Sequence, residues 1–301
     1  MSGMARTKHS DRAASRRPVK TDEPSLGGFR EALRVGADFA LSDVDTHGTP
    51  NYDGGKQDGK RDLGTAEAEL SDLLERLYAE STAGAKRAVL LVVQGMDTSG
   101  KGGVMRHVVA VNPEGIKATA FKAPTEEELA HDFLWRIRKA LPMAGQLGVF
   151  DRSHYEDVLV VRVHDLVPEE EWSTRYETIN AFEREVVDSG TTIVKVMLHV
   201  SSAEQKERLM ERLDRPDKYY KYNPGDVDER KRWHGYMEAY QAALTKCSTD
   251  AAPWYVVPAD RKWYARLAVQ QLLLETLRDM DLTWPAADFD VAAEKARLAA
   301  T

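Results

Sequence analysis

The chain has 301 residues, a hydrophobic fraction of 42% and a formal net charge of −7. This apolar content is enough for a sizeable core, so the composition excludes a chain that is disordered throughout. The single cysteine, Cys247, excludes an internal disulfide framework, and no apolar run approaches the roughly 20 residues of a membrane span. Since the N-terminus also lacks a secretory signal, we expect a cytoplasmic protein with no membrane partner.

The charge is distributed unevenly along the chain. Residues 1–20 hold six Lys and Arg against Asp11 alone, a net +5, which leaves −12 for the remainder. An acidic body argues against a nucleic-acid partner. The composition of residues 1–27 predicts a disordered basic tail, and the alternative is a tail that contacts an anionic partner.

In chain order, residues 63–81 have apolar side chains at helical spacing, and the short apolar run that follows them predicts a buried parallel strand. The expected strands are 88–93, 118–121, 147–150, 192–200 and 254–257. The expected later helices are 102–111, 125–140, 169–188, 202–213, 226–246 and 261–279. Strands separated by helices predict an α/β fold of three layers, with a parallel sheet between helices and ligands beyond the carboxyl ends of the strands.

A glycine-rich loop follows the first expected strand. Residues 95–103 read GMDTSGKGG, which satisfies the pattern G-x-x-x-x-G-K and opens an expected helix. Loops of this kind aim backbone N–H groups at phosphate oxygens, while Lys101 adds a point charge. The expected phosphate-binding residues of the loop, besides the lysine, are Gly95, Met96, Thr98, Ser99, Gly100, Gly102 and Gly103.

The loop predicts an unusual metal site. Gly102 stands where nucleoside triphosphatases of this pattern carry a Ser or Thr that binds Mg²⁺. Asp97 lies inside the loop and offers a hard oxygen ligand. Because a carboxylate there repels phosphate unless a cation lies between them, the sequence predicts a divalent ion at Asp97.

A second acidic motif ends the expected strand at 147–150. Asp151 follows an apolar run, an arrangement typical of a carboxylate that reaches Mg²⁺. Arg152 beside it has the fork geometry that binds phosphoryl oxygens, with a local ion pair as the alternative. Glu156 is expected at the metal or the acceptor. His154 is not assigned as a base, because an acceptor phosphate is already anionic.

Residues 204–232 form a basic segment in which Arg208 and Arg212 share a helix face and Lys221 follows Pro216. Arginines on a helical hairpin suit a lid over phosphates. The alternative is a solvated helix whose Glu and Arg pair four residues apart, and this segment taken alone favours that alternative.

Together these motifs resemble the type-2 polyphosphate kinases. The resemblance is carried by GMDTSGKGG, FKAPTEEELAHDFLWR (121–136), FDRSHYEDVLVVRVH (150–164), RPDKYYKYNPGD (215–226) and PWYVVPADRKWYAR (253–266). The segment HYEDVLVVRVH and residues 33–50 are most similar to the third class, which phosphorylates nucleoside mono- and diphosphates. The resemblance implies a single P-loop kinase domain over residues 28–285, with a helical lid at about 204–232 and a C-terminal tail at 286–301.

The resemblance also implies the activity and its residues. The reaction is the reversible transfer of a phosphoryl group from inorganic polyphosphate to AMP or ADP, with Mg²⁺ or Mn²⁺ as cofactor. ATP is the further nucleotide expected, guanine nucleotides are left open, and the assembly expected is a homo-oligomer, a dimer or tetramer. The implied catalytic residues are Asp97, Lys101, Asp151, Arg152 and Arg208, with both aspartates as metal ligands. Arg106, Lys122, Glu156, Arg162, Arg212 and Lys221 are the further phosphate or nucleotide contacts.

Two other functions use the same motifs. An ATP-dependent kinase of nucleotides or small molecules needs the same loop, acidic strand end and arginine lid, and differs only in its donor. A phosphate-binding module without catalysis is the third hypothesis, against which the presence of Asp97, Lys101, Asp151 and Arg152 together argues.

Overall fold

The structure is a computed structural model that describes residues 26–108 and 113–301. Its strands are β1 (Ala88–Gln94), β2 (Ile116–Ala120), β3 (Leu147–Asp151), β4 (Thr191–His199) and β5 (Trp254–Pro258). They form one parallel sheet in the order β2-β3-β1-β4-β5. All five expected strands are therefore confirmed, each within two residues of its expected bounds.

The central strand explains why the sheet has helices on both faces. Every residue of β1 is buried, including the polar Gln94 at its end. A strand whose alternating side chains are all apolar and buried has to be covered on both sides. In the register with its neighbours, Val93 lies opposite Asp151 of β3, which brings the acidic strand end next to the start of the glycine-rich loop.

The described residues form thirteen helices. They are α1 (Phe29–Leu33), α2 (Lys56–Thr82), α3 (Lys101–Val108), α4 (Glu126–Leu129), α5 (Trp135–Ala140), α6 (Glu156–Val163), α7 (Glu169–Trp172), α8 (Arg175–Asp188), α9 (Ser202–Asp214), α10 (Gly225–Lys231), α11 (Trp233–Cys247), α12 (Lys262–Asp279) and α13 (Val291–Ala299). Short 3₁₀ turns occupy Leu41–Asp43, Pro113–Gly115 and Pro216–Lys221. Helix α12 packs on α2 and α3, whereas α6, α8 and α11 pack on one another, so the three-layer α/β/α architecture is confirmed.

Three expected helices are interrupted in the structure. The expected helix at 125–140 is α4 followed by α5, that at 169–188 is α7 followed by α8, and that at 226–246 is α10 followed by α11. Helix α4 is a single turn, held by a capping box between Thr125 and Glu128. The Asp132 carboxylate then accepts a hydrogen bond from the backbone N–H of Leu134 at 3.0 Å and supports the turn that precedes α5.

Helix α2 begins at Lys56, seven residues before the expected start. The glycines at 59 and 64 lower the helix propensity of that stretch. Gly59 is required by packing, because a Cβ atom there would lie 2.4 Å from the Trp263 ring. Helix packing against α12 therefore extends α2 beyond what the local sequence predicts.

The structure describes the two chain ends unequally. The predicted tail over residues 1–27 lies outside the described residues up to residue 25, while Leu26 packs on the core and the Gly27 carbonyl accepts a hydrogen bond from Asn51. The C-terminal segment 286–301 contains helix α13. In the part of the chain that the structure describes, no helix has the length and apolar content to span a bilayer.

Candidate active site

The glycine-rich loop connects β1 to α3 with the backbone geometry that its sequence predicts. Gly95 and Gly100 have φ angles of +150° and +117°. A Cβ atom at Gly95 would lie 2.7 Å from the Leu198 carbonyl oxygen, so only glycine fits at this position. The loop leads into the first turn of α3, whose N–H groups have no partner within the helix. The loop and the helix end together form an anion-binding concavity.

Lys101 is the first residue of α3 and is only 9% exposed. Its ammonium group donates to the Gly95 carbonyl at 2.7 Å and to the Met96 carbonyl at 3.3 Å. Burial lowers the pKa of Lys101, while the carboxylates of Asp97 and Asp151 oppose that shift. The lysine is thus folded back on its own loop and faces two carboxylates.

Arg152 joins the two acidic motifs. Its guanidinium donates to Asp97 Oδ1 at 3.0 Å, and its backbone N–H donates to the Val93 carbonyl. Its φ angle of +66° is uncommon for a residue with a side chain, and such geometry is maintained only where the surroundings impose it. Burial alone would lower the pKa of Arg152, but the carboxylates of Glu156 and Asp97 raise it, so the arginine is charged at any physiological pH.

Glu156 lies behind Arg152 in the first turn of α6. Its Oε1 atom accepts a hydrogen bond of 2.9 Å from Gln94 Nε2 at the end of β1. Glu156 does not border the cleft described below, and neither do Gly95 and Met96, although all three adjoin residues that do. Glu156 is therefore near enough to Arg152 to favour its charged form, but it does not line the cleft itself.

Arg208 of α9 is buried, at 5% exposure, and fixes the loop from the side opposite α3. All five of its N–H groups have acceptors within hydrogen-bond distance. The acceptors are the Glu204 carboxylate and the carbonyl oxygens of Thr98, Ser99, Ala259 and Asp260. In this structure Arg208 therefore holds the loop in place, a role the sequence did not predict, instead of extending from a lid as a free phosphate ligand.

Arg212 and Lys221 lie further along the helical segment expected as a lid. Arg212 Nη1 donates to the Lys221 carbonyl at 2.8 Å and lies 3.5 Å from Asp226 Oδ2. The Lys221 ammonium lies 5.5 Å from the centre of the Tyr220 ring. These contacts link α9, the 3₁₀ turn and α10 into one helical unit beside the loop.

A cleft of about 560 Å³ opens over the glycine-rich loop. Ten of the described residues that border it are Lys or Arg, against three carboxylates. Expected site residues that border the cleft are Asp97, Thr98, Ser99, Gly100, Lys101, Gly102, Gly103, Arg106, Lys122, Asp151, Arg152, Arg208, Arg212 and Lys221. The structure thus brings together most of the residues that the sequence singled out, on one strongly basic surface.

Three cations of the cleft were missed by sequence reasoning. Lys218 lies within the basic segment, whereas Lys262 and Arg266 belong to α12, more than 150 residues after the loop. Arg266 packs on α3, where its guanidinium would lie 3.3 Å from a Cβ atom placed on Gly103. Burial and the nearby Arg106 lower the pKa of Arg266. The motif PWYVVPADRKWYAR contains Lys262 and Arg266 and was the available signal for them. It does not show that they lie beside the glycine-rich loop.

Arg162 lies outside the cleft. Its guanidinium stacks 4.9 Å from the centre of the Trp172 ring on α7. It borders another cavity, which Trp233 and Met237 of α11 line on the far side of α6. The structure therefore does not bring Arg162 together with the other expected phosphate contacts.

The residues of the loop suit a hydrated divalent cation. Asp97 and Asp151 supply hard carboxylate oxygens at adjacent strand ends. The hydroxyl oxygens of Thr98 and Ser99 are buried, and no hydrogen-bond partner reaches them among the described residues. The described part of the chain also contains no group of three or more His, Cys, Asp or Glu arranged to hold a metal. Two carboxylates with water and phosphate oxygens in the other positions is the coordination typical of Mg²⁺.

Comparison with known proteins identifies relatives over nearly the whole chain. A model of the Polyphosphate kinase 2 family matches residues 54–285. An AMP/ADP-polyphosphate phosphotransferase of Meiothermus ruber is 46% identical over 258 residues, which are 85% of this chain and 94% of the relative. An ADP-polyphosphate phosphotransferase of Rhodopseudomonas palustris is 44% identical over 236 residues, which are 74% of this chain and 80% of the relative.

The fold is also shared with a solved structure. The crystal structure of Polyphosphate Kinase 2 from Arthrobacter aurescens TC1 is 53% identical and superimposes with a TM-score of 0.91. The match covers 93% of this chain and 99% of that one. On the family match, the identity to curated relatives and the shared architecture, the chain belongs to the Polyphosphate kinase 2 family.

Proposed function

We propose that this protein transfers a phosphoryl group from inorganic polyphosphate to AMP and ADP, reversibly and with Mg²⁺ or Mn²⁺. The observation that carries the proposal is the basic cleft over a glycine-rich loop, in which two aspartates and Arg152 meet. The relatives named AMP/ADP-polyphosphate and ADP-polyphosphate phosphotransferases support the choice of substrates. In this proposal the protein is a kinase whose phosphoryl donor is inorganic polyphosphate.

The charge of the cleft supports polyphosphate as the donor. A linear polyanion needs several cations along its length, and the cleft supplies them from the loop, the helical segment 204–232 and α12. The body of the protein is acidic, so this local basic surface stands out against the rest of the chain. A single nucleoside triphosphate requires fewer cations than the ten that border the cleft.

The transfer itself breaks the terminal phosphoanhydride bond of polyphosphate and forms a bond between that phosphorus and an oxygen of the acceptor phosphate. Asp97 and Asp151 would hold the divalent cation, which would supply neutralisation of the charge on the phosphoryl oxygens. Lys101 and the N–H groups of the loop hold the donor end, and Arg152 bridges donor and acceptor phosphates. Arg208 keeps the loop in the geometry that this requires.

No general base is needed, because the attacking phosphate oxygen is already anionic. We also leave His154 out of the proposed chemistry. Its ring is 1% exposed and bonds to the Glu183 carboxylate at 3.2 Å, and burial lowers the pKa of the imidazole. Glu156 is proposed to act through Arg152, which it holds in charged form from behind.

Several features of the whole protein belong to the proposal. We place one kinase domain at residues 28–285, with the helical segment 204–232 as its lid and α13 in the C-terminal segment 286–301. A homo-oligomer and a cytoplasmic location stay predictions from the sequence, and the base preference of the acceptor stays open.

A donor-exchange assay tests the function. Purified protein is incubated with Mg²⁺ and either AMP or ADP, with polyphosphate or ATP as the only donor, and products are separated by ion-exchange chromatography. We expect ADP and ATP to form with polyphosphate. Product formation with ATP and AMP in the absence of polyphosphate, and none with polyphosphate, would instead assign an ordinary ATP-dependent kinase.

A further inference from the structure

A buried ion pair contacts the segment that follows Arg152. It consists of Glu183 on α8 and Lys195 in the middle of β4, which are 1% and 0% exposed, and it is here called the buried pair. The Lys195 ammonium donates to Glu183 Oε2 at 2.5 Å. A lysine at the centre of a parallel sheet is unusual, because burying a charge is costly unless a partner compensates it. The transfer described above does not use this pair.

The ammonium group of Lys195 has an acceptor for each of its three protons. Besides Glu183, these are the Tyr155 hydroxyl at 2.9 Å and the Cys247 carbonyl oxygen at 2.7 Å. The lysine therefore links β4 to α8, to the last residue of α11 and to the residue that precedes α6. Complete pairing of this kind fixes the geometry of a buried group, because a displacement would break hydrogen bonds that water cannot replace.

Glu183 holds two consecutive residues of the segment after Arg152. Its Oε1 atom accepts from the Tyr155 hydroxyl at 2.8 Å and lies 3.2 Å from His154 Nε2. Burial alone would raise the pKa of Glu183, but Lys195 and His154 lower it, so the carboxylate is ionised. Because an ionised carboxylate only accepts hydrogen bonds, the histidine carries its proton on Nε2. Both residues are thus tied to the same buried carboxylate.

Arg152 is held on both sides of its strained backbone. Its φ angle of +66° persists only where the surroundings impose it. Before it, the strand pairing continues, because its N–H donates to the Val93 carbonyl at 3.0 Å. After it, His154 and Tyr155 are 1% and 0% exposed and are held by the buried pair. Together these contacts keep the guanidinium at Asp97, 3.0 Å from its Oδ1 atom.

We infer that the buried pair positions Arg152 for phosphoryl transfer, with the Tyr155 hydroxyl and the His154 ring as the links. The inference rests on the proposed function, in which Arg152 bridges donor and acceptor phosphates. Tyr155, Glu183 and Lys195 are then positioning residues, because none of them borders the cleft. Their contribution belongs to kcat, since a displaced guanidinium loses contacts that are made best in the transition state.

Tyr155→Phe tests this inference, because it removes only the hydroxyl that joins the segment to the buried pair. Glu183 and Lys195 stay paired in the variant, and thermal melting establishes that it is folded. We expect kcat for ATP formation from ADP and polyphosphate to fall about tenfold, the effect of a misplaced catalytic group. The KM for polyphosphate should change less than about twofold, because the cations that border the cleft are intact.

Tyr264→Phe is the matched control. Tyr264 on α12 is also 0% exposed, and its hydroxyl donates to the Pro50 carbonyl at 2.6 Å. The control therefore makes the same change and also loses a buried hydrogen bond, at a tyrosine outside the segment 152–156. It should lower the melting temperature, as Tyr155→Phe does, while keeping the wild-type kcat.

A double-mutant cycle shows whether Tyr155 acts through Arg152. In an Arg152→Lys background, where the guanidinium is absent, Tyr155→Phe should lower kcat less than about twofold, because coupled losses do not add. A role in stability alone would give the same factor in both backgrounds. If Tyr155→Phe does not fold, His154→Phe removes the other link to Glu183 and enters the same cycle.

The failure of this inference can be distinguished from that of the proposed function. A wild-type protein that forms no product from polyphosphate contradicts the function itself, and with it the inference that rests on it. An active wild-type protein whose Tyr155→Phe variant keeps the kcat of Tyr264→Phe overturns only the role of the buried pair. The same loss of kcat in both backgrounds of the cycle would overturn that role as well.

Discussion

Two cavities lie on either side of residues 121–124 and differ in charge: the cleft over the glycine-rich loop and a cavity of about 460 Å³, here called the side pocket, which Glu128, Phe133 and Arg136 help to line. The cleft is bordered by ten cations and three carboxylates, the side pocket by four carboxylates and two paired arginines, among the described residues. The difference teaches that the positive charge of this region is concentrated over the glycine-rich loop and does not extend past residues 121–124.

The two cavities also differ in how they are encoded. The floor of the cleft is a contiguous motif, residues 95–103, whose glycines and lysine form a pattern that can be recognised in the sequence. The side pocket is assembled from α4 to α8, and no contiguous pattern marks it. The predictions that follow test this division, beginning with the largest effect.

The largest loss is expected at the glycine-rich loop. Lys101→Ala removes the point charge at the donor phosphate and should lower kcat/KM by about 10³-fold or more. The measurement is ATP formation from ADP and polyphosphate. The control is Lys60→Ala, which removes an exposed lysine of α2 that does not border the cleft. Activity of Lys101→Ala within a few-fold of that control would show that the cleft does not hold the donor.

Salt is expected to affect the two substrates differently. If four cations of the cleft contact polyphosphate at once, raising salt from about 50 to 200 mM should raise its KM roughly fiftyfold by counterion release. The KM for ADP should rise much less, because a nucleoside diphosphate has far fewer charges to pair with these cations than polyphosphate has. Equal salt dependence of both KM values would contradict the comparison.

Arg208 should act through the position of the loop. Arg208→Lys keeps the charge but leaves several of the carbonyl oxygens that it binds without a donor, so stability should fall by about 2 kcal/mol. Displacement of the loop should lower kcat about tenfold, with a smaller change in the KM for ADP. The exposed Arg215→Lys is the control, and rescue of kcat at lower temperature would support a positioning role.

The smallest effect is expected at Arg162, which stacks on Trp172 outside the cleft. Arg162→Ala should change the KM for polyphosphate by less than about twofold, because its guanidinium stacks on Trp172 and does not border the cleft. Arg212→Ala, within the cleft, is the positive comparison and should raise that KM severalfold. A larger effect at Arg162 than at Arg212 would mean that the chain of phosphates follows another path.

These expectations also show which parts of the molecule the sequence could predict. Short apolar runs such as 88–93 identified every strand, because a strand buried on both faces leaves a continuous hydrophobic signal. Helix α6 was missed, since Glu156–Val163 is rich in valine and takes helical form through packing against α11. Lys262 and Arg266 were missed because only the packing of α12 on α3 brings them to the loop.

Arg208 illustrates the limit most clearly. The sequence identified the residue, but its spacing four residues from Glu204 and Arg212 did not distinguish a lid cation from a surface pair. In the structure it binds carbonyl oxygens from two distant loops, at 98–99 and 259–260. Which backbone groups a side chain meets depends on tertiary contacts that local patterns do not contain.

The most direct test of the central claim follows the phosphoryl group itself. Polyphosphate labelled with ³²P is incubated with unlabelled ADP and Mg²⁺, and ATP is isolated and its γ-phosphate counted. The account predicts label in the γ-position of ATP, and almost none with Asp97→Asn or when the metal is chelated. Unlabelled ATP, or no ATP from the folded wild-type protein across a range of divalent metals, would contradict it.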